Sequence, residues 1–475
     1  MNENADKKIV TRFAPSPTGF MHVGGVRTAL YAYLWARKHQ GTFILRIEDT
    51  DKEREVAGSI EHIIKSLKWL GITWDQGPDI GGPYASYIQS ERLDLYKKYA
   101  LDLIEKGHAY PDPYTKEQLD DFRKKAEQEK RPFFYRDHRP ETFGVWDGTQ
   151  ALRFKTPEIK SYKWHDEVRG DLSAGPEALD DFILIKSDGY PTYNFAHIID
   201  DLQMNVTHIM RSDEFISSTP KFLSLYDALG IKHPAFVILP PILGEGGNKK
   251  LSKRDGAKDI LDYASEGYLP ETMINFLALL GWNPGGEKEI FTTEELIEIF
   301  DIKRIGISGA QWNDEKLDWM NKEHMKKLPS NEVEKNIFLY LPEQLQNKKL
   351  VSVIFERINK WSDVKSMVEQ GEFDYILNEP VYDKAKLIFK NSTLEKIKNN
   401  LESAIKGLEN IDEKDFSMEN IKKTLMDIAD SLESRGELLH PVRFALTGRD
   451  KSPDPFLVAD ILGKNETILR LQKAI

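Results

Sequence analysis

Residues 12–25, RFAPSPTGFMHVGG, and residues 249–254, KKLSKR, carry the residue types that hold a polyphosphate. In the first segment, Pro15, Pro17 and Gly19 break a short apolar strand over residues 9–14. A helical pattern then runs from Val23 to about Lys38, with Val26, Leu30, Tyr33 and Leu34 at helix spacing. His22, Gly24 and Gly25 therefore fall at a helix start. Unsatisfied backbone N–H groups and the positive dipole end favour an anion there. The glycines let a phosphate approach the backbone, and the imidazole adds a donor. The second segment sets Lys249, Lys250, Lys253, Arg254 and Lys258 on a Gly-flanked loop able to close over the outer phosphates of ATP. Singly, each has a plainer explanation: a Pro/Gly turn is common before a helix, and a lysine cluster is usually a solvated face.

The chemistry that suits this pair is attack of a carboxylate on the α-phosphate of ATP. Such a nucleophile is already ionised at neutral pH, so no general base is needed. The protein must hold two anions against each other and neutralise the charge that develops. His22, Lys250 and Lys253, with Mg2+ accompanying the nucleotide, fit that task. Arg12, at a strand end, offers a planar fork for a substrate carboxylate. The run Glu48-Asp49-Thr50-Asp51 invites a metal reading, but capping and surface roles are preferred. Arg169-Gly170-Asp171 reads as a turn.

The elements that must position these groups alternate. A strand over 9–14, the helix after His22, a strand over 42–47 and a helix over 56–70 predict a parallel, doubly wound α/β sheet. The pattern changes between about 84 and 198, with helical stretches over 91–106 and 115–130 and strand-like stretches over 151–155 and 182–186. This reads as an insertion between two halves of a nucleotide fold. Strands resume over 206–210 and 235–239 with a helix over 217–229, and helices then dominate to the end. The expected divisions are 1–83 (first half of the catalytic fold), 84–198 (insertion), 199–245 (second half), 246–328 (lysine loop and a helical domain) and 329–475 (all-helical).

A length of 475 residues suggests about three domains. The longest apolar stretches, 235–243 and 273–282, fall short of the roughly 20 residues a spanning helix needs. MNENADKK contains no apolar signal core, so a cytoplasmic address with no membrane association is expected. With no cysteine, the chain has no disulfide, thiolate nucleophile or Cys-ligated zinc. A net charge of −11, from 66 basic and 77 acidic residues, argues mildly against nucleic acid unless basic groups are locally concentrated.

In their order and wide separation, the two segments resemble the HIGH and KMSKS signatures of class I aminoacyl-tRNA synthetases. Val23 and Gly25 depart from the first, and Leu251 and Arg254 from the second. TRFAPSPTGFMHVGG, LRIEDTD, DGYPTYN, KLSKRDG and a late ALTG together resemble the glutamyl branch, over nearly the whole chain. The resemblance implies ATP-dependent activation of L-glutamate and transfer to the terminal adenosine of tRNA(Glu), with charging of tRNA(Gln) left open and tRNA bound before activation. It implies ATP contacts by His22, Gly24, Gly25, Glu214, Lys250 and Lys253. Glutamate contacts are implied for Arg12, Ser16, Glu48, Tyr193 and Arg211, and His197 stands where some relatives have Asn. Phe215 either stacks on a base or packs in the core. The insertion would grip the acceptor stem and the helical tail the anticodon, where Lys360 and Trp361 are either base contacts or, preferably, a packed helix face. Mg2+ with ATP, no zinc, and a monomer are the further expectations. The alternatives are a glutaminyl-tRNA synthetase and a tRNA-modifying glutamyl transferase truncated after the catalytic part, both of which the helical tail disfavours, a non-catalytic tRNA-binding relative, and a small-molecule adenylyltransferase.

Overall fold

Val10–Phe13 (β1) and Thr42–Leu45 (β2) pair in parallel, Val10 opposite Thr42 and Phe13 opposite Leu45, with helix Val23–Lys38 (α1) as their crossover. The computed structural model describes residues 8–84, 86–244, 246–247, 249–251 and 258–475. Helix Ser59–Trp69 (α2) follows, then Leu93–Glu105 (α3), strand Ala109–Pro111 (β3), helix Lys116–Gln128 (α4) and strand Leu152–Phe154 (β4). A hairpin of Tyr162–Asp166 (β5) and Gly170–Ala174 (β6) comes next, then Ile183–Ile185 (β7) and helix Tyr193–Gln203 (α5). The chain continues through His208–Ser212 (β8), Thr219–Leu229 (α6), Ala235–Leu239 (β9) and Ile242–Leu243 (β10).

β8 and β9 run parallel, His208 opposite Ala235 and Ser212 opposite Leu239. β1 lies beside β8: Thr207 donates its N–H to the Val10 carbonyl at 2.9 Å, and Val10 donates to the Thr207 hydroxyl at 2.9 Å. The carboxyl ends of β1, β2, β8 and β9 therefore point the same way, which is where a parallel sheet presents its ligand site. α1 covers this sheet with Val26, Ala29, Leu30 and Leu34, all fully buried. Its buried Arg27 donates to the Leu280 carbonyl at 2.9 Å and also to the Pro240 carbonyl, tying the helix to the end of β9.

β3, β4 and β7 form a separate antiparallel sheet. The β5–β6 hairpin instead extends the β9–β8 sheet, Asp166 opposite Phe236. It was not among the expected strands. Residues 167–169 do form its turn, but Gly170 and Asp171 already belong to β6, so only Arg169 of the supposed turn tripeptide lies in one.

Beyond the lysine loop run Ile260–Ser265 (α7), Pro270–Leu279 (α8), Thr293–Ile299 (α9), the short strand Ala310–Gln311 (β11) and Asp314–Met325 (α10). Trp312 is buried edge-on to Phe276 at 4.9 Å, a packing role as expected.

The backbone divides into Met1–Ala264 with Leu269–Met320, and Ser265–Tyr268 with Asn321–Ile475. The described part of the second unit is wholly helical. Its C-terminal core packs Ile397, Leu401, Ile421, Leu425, Val442, Leu446, Val458 and Leu471. The apolar faces of its helices recur at three- and four-residue spacing, which is why these amphipathic segments fold together. Trp361 is 4% exposed, and a Cβ on Gly267 would stand 2.6 Å from its Cβ. Lys360 lies over the Tyr268 ring at 5.3 Å. Trp361 is thus core and offers no face to a base, correcting the anticodon alternative at that position. No described helix is long and apolar enough to cross a membrane.

Candidate active site

His22 is the N-cap of α1. Its backbone is extended (φ −112°, ψ 167°), and its Nδ1 accepts the Gly24 N–H at 3.1 Å. The ring thereby fixes itself over the first turn, where three further N–H groups stay outside the helical ladder. No acidic residue stands in that turn, and Arg37 and Lys38 lie in the last, so the dipole end is left positive. Gly24 is needed for the ring: a Cβ there would stand 3.0 Å from His22 Cε1. Ser16 is exposed on the preceding loop. That loop is held to the segment after β2, with Glu48 donating its N–H to the Pro15 carbonyl at 3.0 Å and Val56 to Pro17 at 2.9 Å.

The described ends of the lysine loop converge on the same region. Lys250 pairs with Leu243 of β10, and Leu251 donates to the Ile242 carbonyl at 2.7 Å. On the far side, Asp259 bridges His22 in antiparallel fashion, and Ile260 donates to the Met21 carbonyl at 3.0 Å. Lys250 Nζ reaches Glu214 Oε2 at 3.3 Å, and the Ser212 hydroxyl donates to Glu214 Oε1 at 2.8 Å. Burial works against the Glu214 charge, but Ser212, Lys250 and His22 outweigh it and hold the carboxyl below its ordinary range. His22, Glu214 and Lys250 thus share one electrostatic neighbourhood. Lys253 and Arg254 lie outside the described residues.

Deeper in, the end of β1 meets a buried ionic network. Arg12 Nε donates to Asp201 Oδ1 at 3.0 Å, and Arg46 Nη1 donates to the same oxygen at 2.8 Å. Arg46 Nη2 reaches Glu48 Oε1 at 2.8 Å. Behind them, Asp200 accepts from Arg92 Nε, Gln89 Nε2 and Tyr96 Oη, each at 2.8 Å. Burial opposes the Asp201 charge, yet Arg12 and Arg46 hold its carboxyl well below the usual range. Burial similarly opposes Arg46, and Asp201, Glu48 and Asp200 hold its pKa well above the ordinary value. For Glu48 burial wins over Arg46, and its pKa is raised.

Arg211, at the end of β8, is different. It is 5% exposed, and none of its three guanidinium nitrogens has a hydrogen-bond partner among the described residues. Phe215, Phe222 and Phe236 surround it with ring centroids at 5.3, 4.9 and 5.3 Å from Cζ. Burial pushes its pKa down against the opposing pull of Tyr193. Such a cation is expensive unless something anionic completes it. Other buried atoms share the condition, among them Tyr226 Oη and Asp201 Oδ2. Tyr193 stacks on His197 at 4.6 Å and leans on Phe215 at 5.3 Å, and burial raises its hydroxyl to about 12. His197 Nδ1 lies 2.7 Å from the Tyr193 carbonyl. Burial and the neighbouring Arg211 depress the His197 pKa to about 3, so the ring is neutral.

The structure therefore brings Arg12, Glu48, Tyr193 and Arg211 to one buried pocket, and His22, Glu214 and Lys250 to one surface above the sheet. Arg46, inside the LRIEDTD segment, completes the pocket with Asp200 and Asp201, which no local motif marks. Arg12, Arg46 and Arg92 face Glu48, Asp200 and Asp201, three charges of each sign, and Arg211, near Arg12 and Tyr193, adds one positive charge in excess. Among the described residues, no group of three His, Cys, Asp or Glu side chains could hold a metal ion.

Comparison with known proteins agrees with this arrangement. A family model described as tRNA synthetases class I (E and Q), catalytic domain, matches residues 8–319, and an anticodon binding domain matches residues 315–475. The glutamate–tRNA ligase of Clostridium kluyveri is 43% identical over 98% of both chains, and that of Clostridium botulinum is 42% identical over 98% of both. A crystal structure of a glutamate tRNA ligase from Elizabethkingia meningosepticum in complex with its amino acid has a TM-score of 0.88 at 33% identity, covering 98% of this chain and 99% of that one. The enzyme from Elizabethkingia anophelis gives 0.86 at 34% identity, covering 99% and 100%. With the catalytic profile and the helical anticodon-binding profile both matched, and relatives of this similarity aligned from end to end, the chain belongs to the class I tRNA synthetases, in the glutamate–tRNA ligase family.

Proposed function

We propose that the protein is a glutamate–tRNA ligase that joins L-glutamate to ATP as glutamyl adenylate and then transfers the glutamyl group to the terminal adenosine of tRNA(Glu). The buried Arg211 guanidinium, without a hydrogen-bond partner among the described residues, carries this reading. A pocket with one positive charge in excess suits free glutamate, which carries net −1, and does not suit zwitterionic glutamine. Arg211 and Arg12 take the substrate carboxylates, Tyr193 contributes its hydroxyl, and Glu48 with Ser16 receives the ammonium group. The scissile phosphate then lies toward His22, Gly24 and Gly25, with Glu214, Lys250 and Lys253 around the nucleotide.

The in-line step breaks the α–β phosphoanhydride bond as a glutamate carboxylate oxygen bonds to the α-phosphorus, and pyrophosphate leaves. The helix start, His22 and the loop lysines meet the charge that grows on those oxygens. Mg2+ travels on the ATP phosphates and supplies further neutralisation there. In the second step a ribose hydroxyl of the tRNA attacks the activated carbonyl, releasing AMP. We further infer that tRNA binds before activation, that the insertion over 84–198 takes the acceptor stem and residues 329–475 the anticodon, and that the enzyme works as a cytoplasmic monomer.

The test is to charge a purified tRNA pool with labelled glutamate and identify the acceptors, and to follow pyrophosphate exchange with and without tRNA. Glutamate-dependent charging of tRNA(Glu), with exchange appearing only when tRNA is present, is the expected result. Appearance of tRNA(Gln) among the acceptors would extend the substrate range. Preferential charging with glutamine, or no charging at all, would overturn the reading.

A further inference from the structure

His62, on α2, stands behind the turn that carries His22. Its Nδ1 lies 3.4 Å from the Met21 backbone nitrogen, and its Nε2 lies 2.8 Å from Asp259 Oδ2. Because Nδ1 accepts the Met21 N–H, the proton of the neutral ring sits on Nε2 and is donated to the Asp259 carboxylate. The two contacts therefore agree on one tautomer. The ring is held in place on both sides. Phe20 stacks on it at 4.5 Å, and the Ser66 hydroxyl, one turn along α2, lies 3.4 Å from Nδ1. His62 and Asp259 are only 14% and 20% exposed.

The place of this contact matters more than its strength. Asp259 and Ile260, downstream of the basic segment, lock onto the catalytic fold, Asp259 bridging His22 and Ile260 donating to Met21. Oδ1 of Asp259 is committed to capping the Leu261 N–H at 2.8 Å, which aims Oδ2 at His62. A second link from the same helix, Ser59 Oγ to the Gly19 carbonyl at 2.7 Å, holds the other end of the turn. α2 thus braces from behind both chains of the seam in which His22 sits.

We propose that His62 is a positioning residue for the phosphate site. It joins the His22 turn to the Asp259 stem, so that the N-capping imidazole and the downstream end of the lysine loop keep a fixed separation while charge develops on the nucleotide. This rests on the ligase reading above. Among the described residues His62 contacts Met21, Ser66, Phe20 and Asp259, none of them assigned to glutamate, so its effect falls on the ATP half of the reaction, leaving the Arg211 pocket as it is.

The test compares wild type with His62→Phe, His62→Gln, Asp259→Asn and the double variant His62→Phe/Asp259→Asn, in pyrophosphate exchange with tRNA present. Phenylalanine keeps the stack on Phe20 and removes both polar contacts, and glutamine restores a donor toward Asp259. His62→Phe should lower kcat/KM for ATP about tenfold while the KM for glutamate stays within about twofold. His62→Gln should recover most of the loss, and the double variant should lose no more than the worse single one. Unchanged ATP kinetics would overturn the proposal. So would equal loss toward both substrates with a lower melting temperature and no rescue by glutamine, since that pattern marks a merely structural residue. If wild type itself does not activate glutamate, the ligase reading falls, a result separable from any of these.

Discussion

Arg12, on β1, and Arg46, just past the end of β2, donate to the same atom, Oδ1 of Asp201, at 3.0 and 2.8 Å. One carboxylate thereby sets the positions of two guanidiniums at the floor of the pocket. Asp201→Asn removes the charge and keeps the shape. Arg12 would then lack its counterion while Arg46 keeps Glu48 and Asp200, and breaking a buried pair costs about 3–5 kcal/mol. Denaturant unfolding should register a loss of that order, and the KM for glutamate should rise at least about tenfold as Arg12 swings free. An unaltered KM would show that Arg12 is held by other contacts.

Arg211 predicts the opposite sign for stability. Among the described residues its three nitrogens have no hydrogen-bond partner and lie among phenylalanine rings, and with only the pull of Tyr193 and Tyr226 favouring the cation the charge is poorly compensated. Arg211→Met replaces it with a flexible apolar chain of similar length. The variant should be more stable by about 1–3 kcal/mol and should lose about a hundredfold or more in kcat/KM for glutamate. A melting temperature below that of wild type would mean that the guanidinium is satisfied in the free enzyme. Retained activity would remove Arg211 from the substrate site.

Acid sensitivity follows from His197. Its folded pKa, about 3, lies below the ordinary histidine value of 6.5, so between those limits the unfolded chain binds a proton that the folded chain refuses. Stability therefore rises with pH across that window, and falls as the solution is taken from pH 6.5 toward 3. His208, depressed to about 4 chiefly by burial, acts in the same direction. Each such histidine contributes a slope of about 1.4 kcal/mol per unit of pH inside its window. Thermal melting at pH 5 and 7 should show the decline, and His197→Asn should flatten it. An equal slope in that variant would assign the sensitivity elsewhere.

Lys250 separates catalysis from stability. Its pair with Glu214 spans 3.3 Å with the two side chains 53% and 60% exposed, so it adds at most about 1 kcal/mol to the fold. Lys250→Ala should melt with wild type, lower adenylate formation at least about tenfold and leave the KM for glutamate within about twofold. A parallel rise in the KM for glutamate would place Lys250 in substrate binding.

How far the sequence discloses this site depends on how local each signal is. The N-cap of α1 is legible because Pro15, Pro17, Gly19 and the apolar spacing from Val26 all act within a few residues. Arg12 and Arg211 are legible as charged groups on strands, but their different conditions are not. The shared partner of Arg12 and Arg46, Asp201 on α5, lies 189 and 155 residues away, and no local period encodes such a pairing. The available hint is a charge embedded in apolar neighbours: Arg46 between Leu45 and Ile47, and Asp200 with Asp201 directly after Ile198 and Ile199. β5 has a readable period of two, with Tyr162, Trp164 and Asp166 buried and Lys163 and His165 exposed. Its density of charge hides it among loop residues. Trp361 shows the converse, an aromatic beside a lysine that suggests recognition and is in fact packed on Gly267.

The two glycines of the helix start are not equivalent. A methyl group at Gly24 would stand 3.0 Å from His22 Cε1 and 3.1 Å from Nδ1, tighter than ordinary contact, so the imidazole must give by a few tenths of an ångström, which weakens its bond to the Gly24 N–H. At Gly25 the same methyl would meet only Phe13 Cζ at 3.9 Å, an ordinary distance. Alanine is also the better helix former by about 0.5–1 kcal/mol. Gly25→Ala should therefore hold or raise the melting temperature, and any loss of activity in it would come from a phosphate that needs the bare backbone. Gly24→Ala should lose ATP-dependent activity through His22 even where the fold is intact. If the imidazole is what matters at position 24, His22→Asn, which keeps a capping acceptor in a smaller side chain, should make Gly24→Ala nearly silent when the two are combined. Full additivity of the two losses would show that Gly24 acts on the phosphate directly, and not through the ring it makes room for.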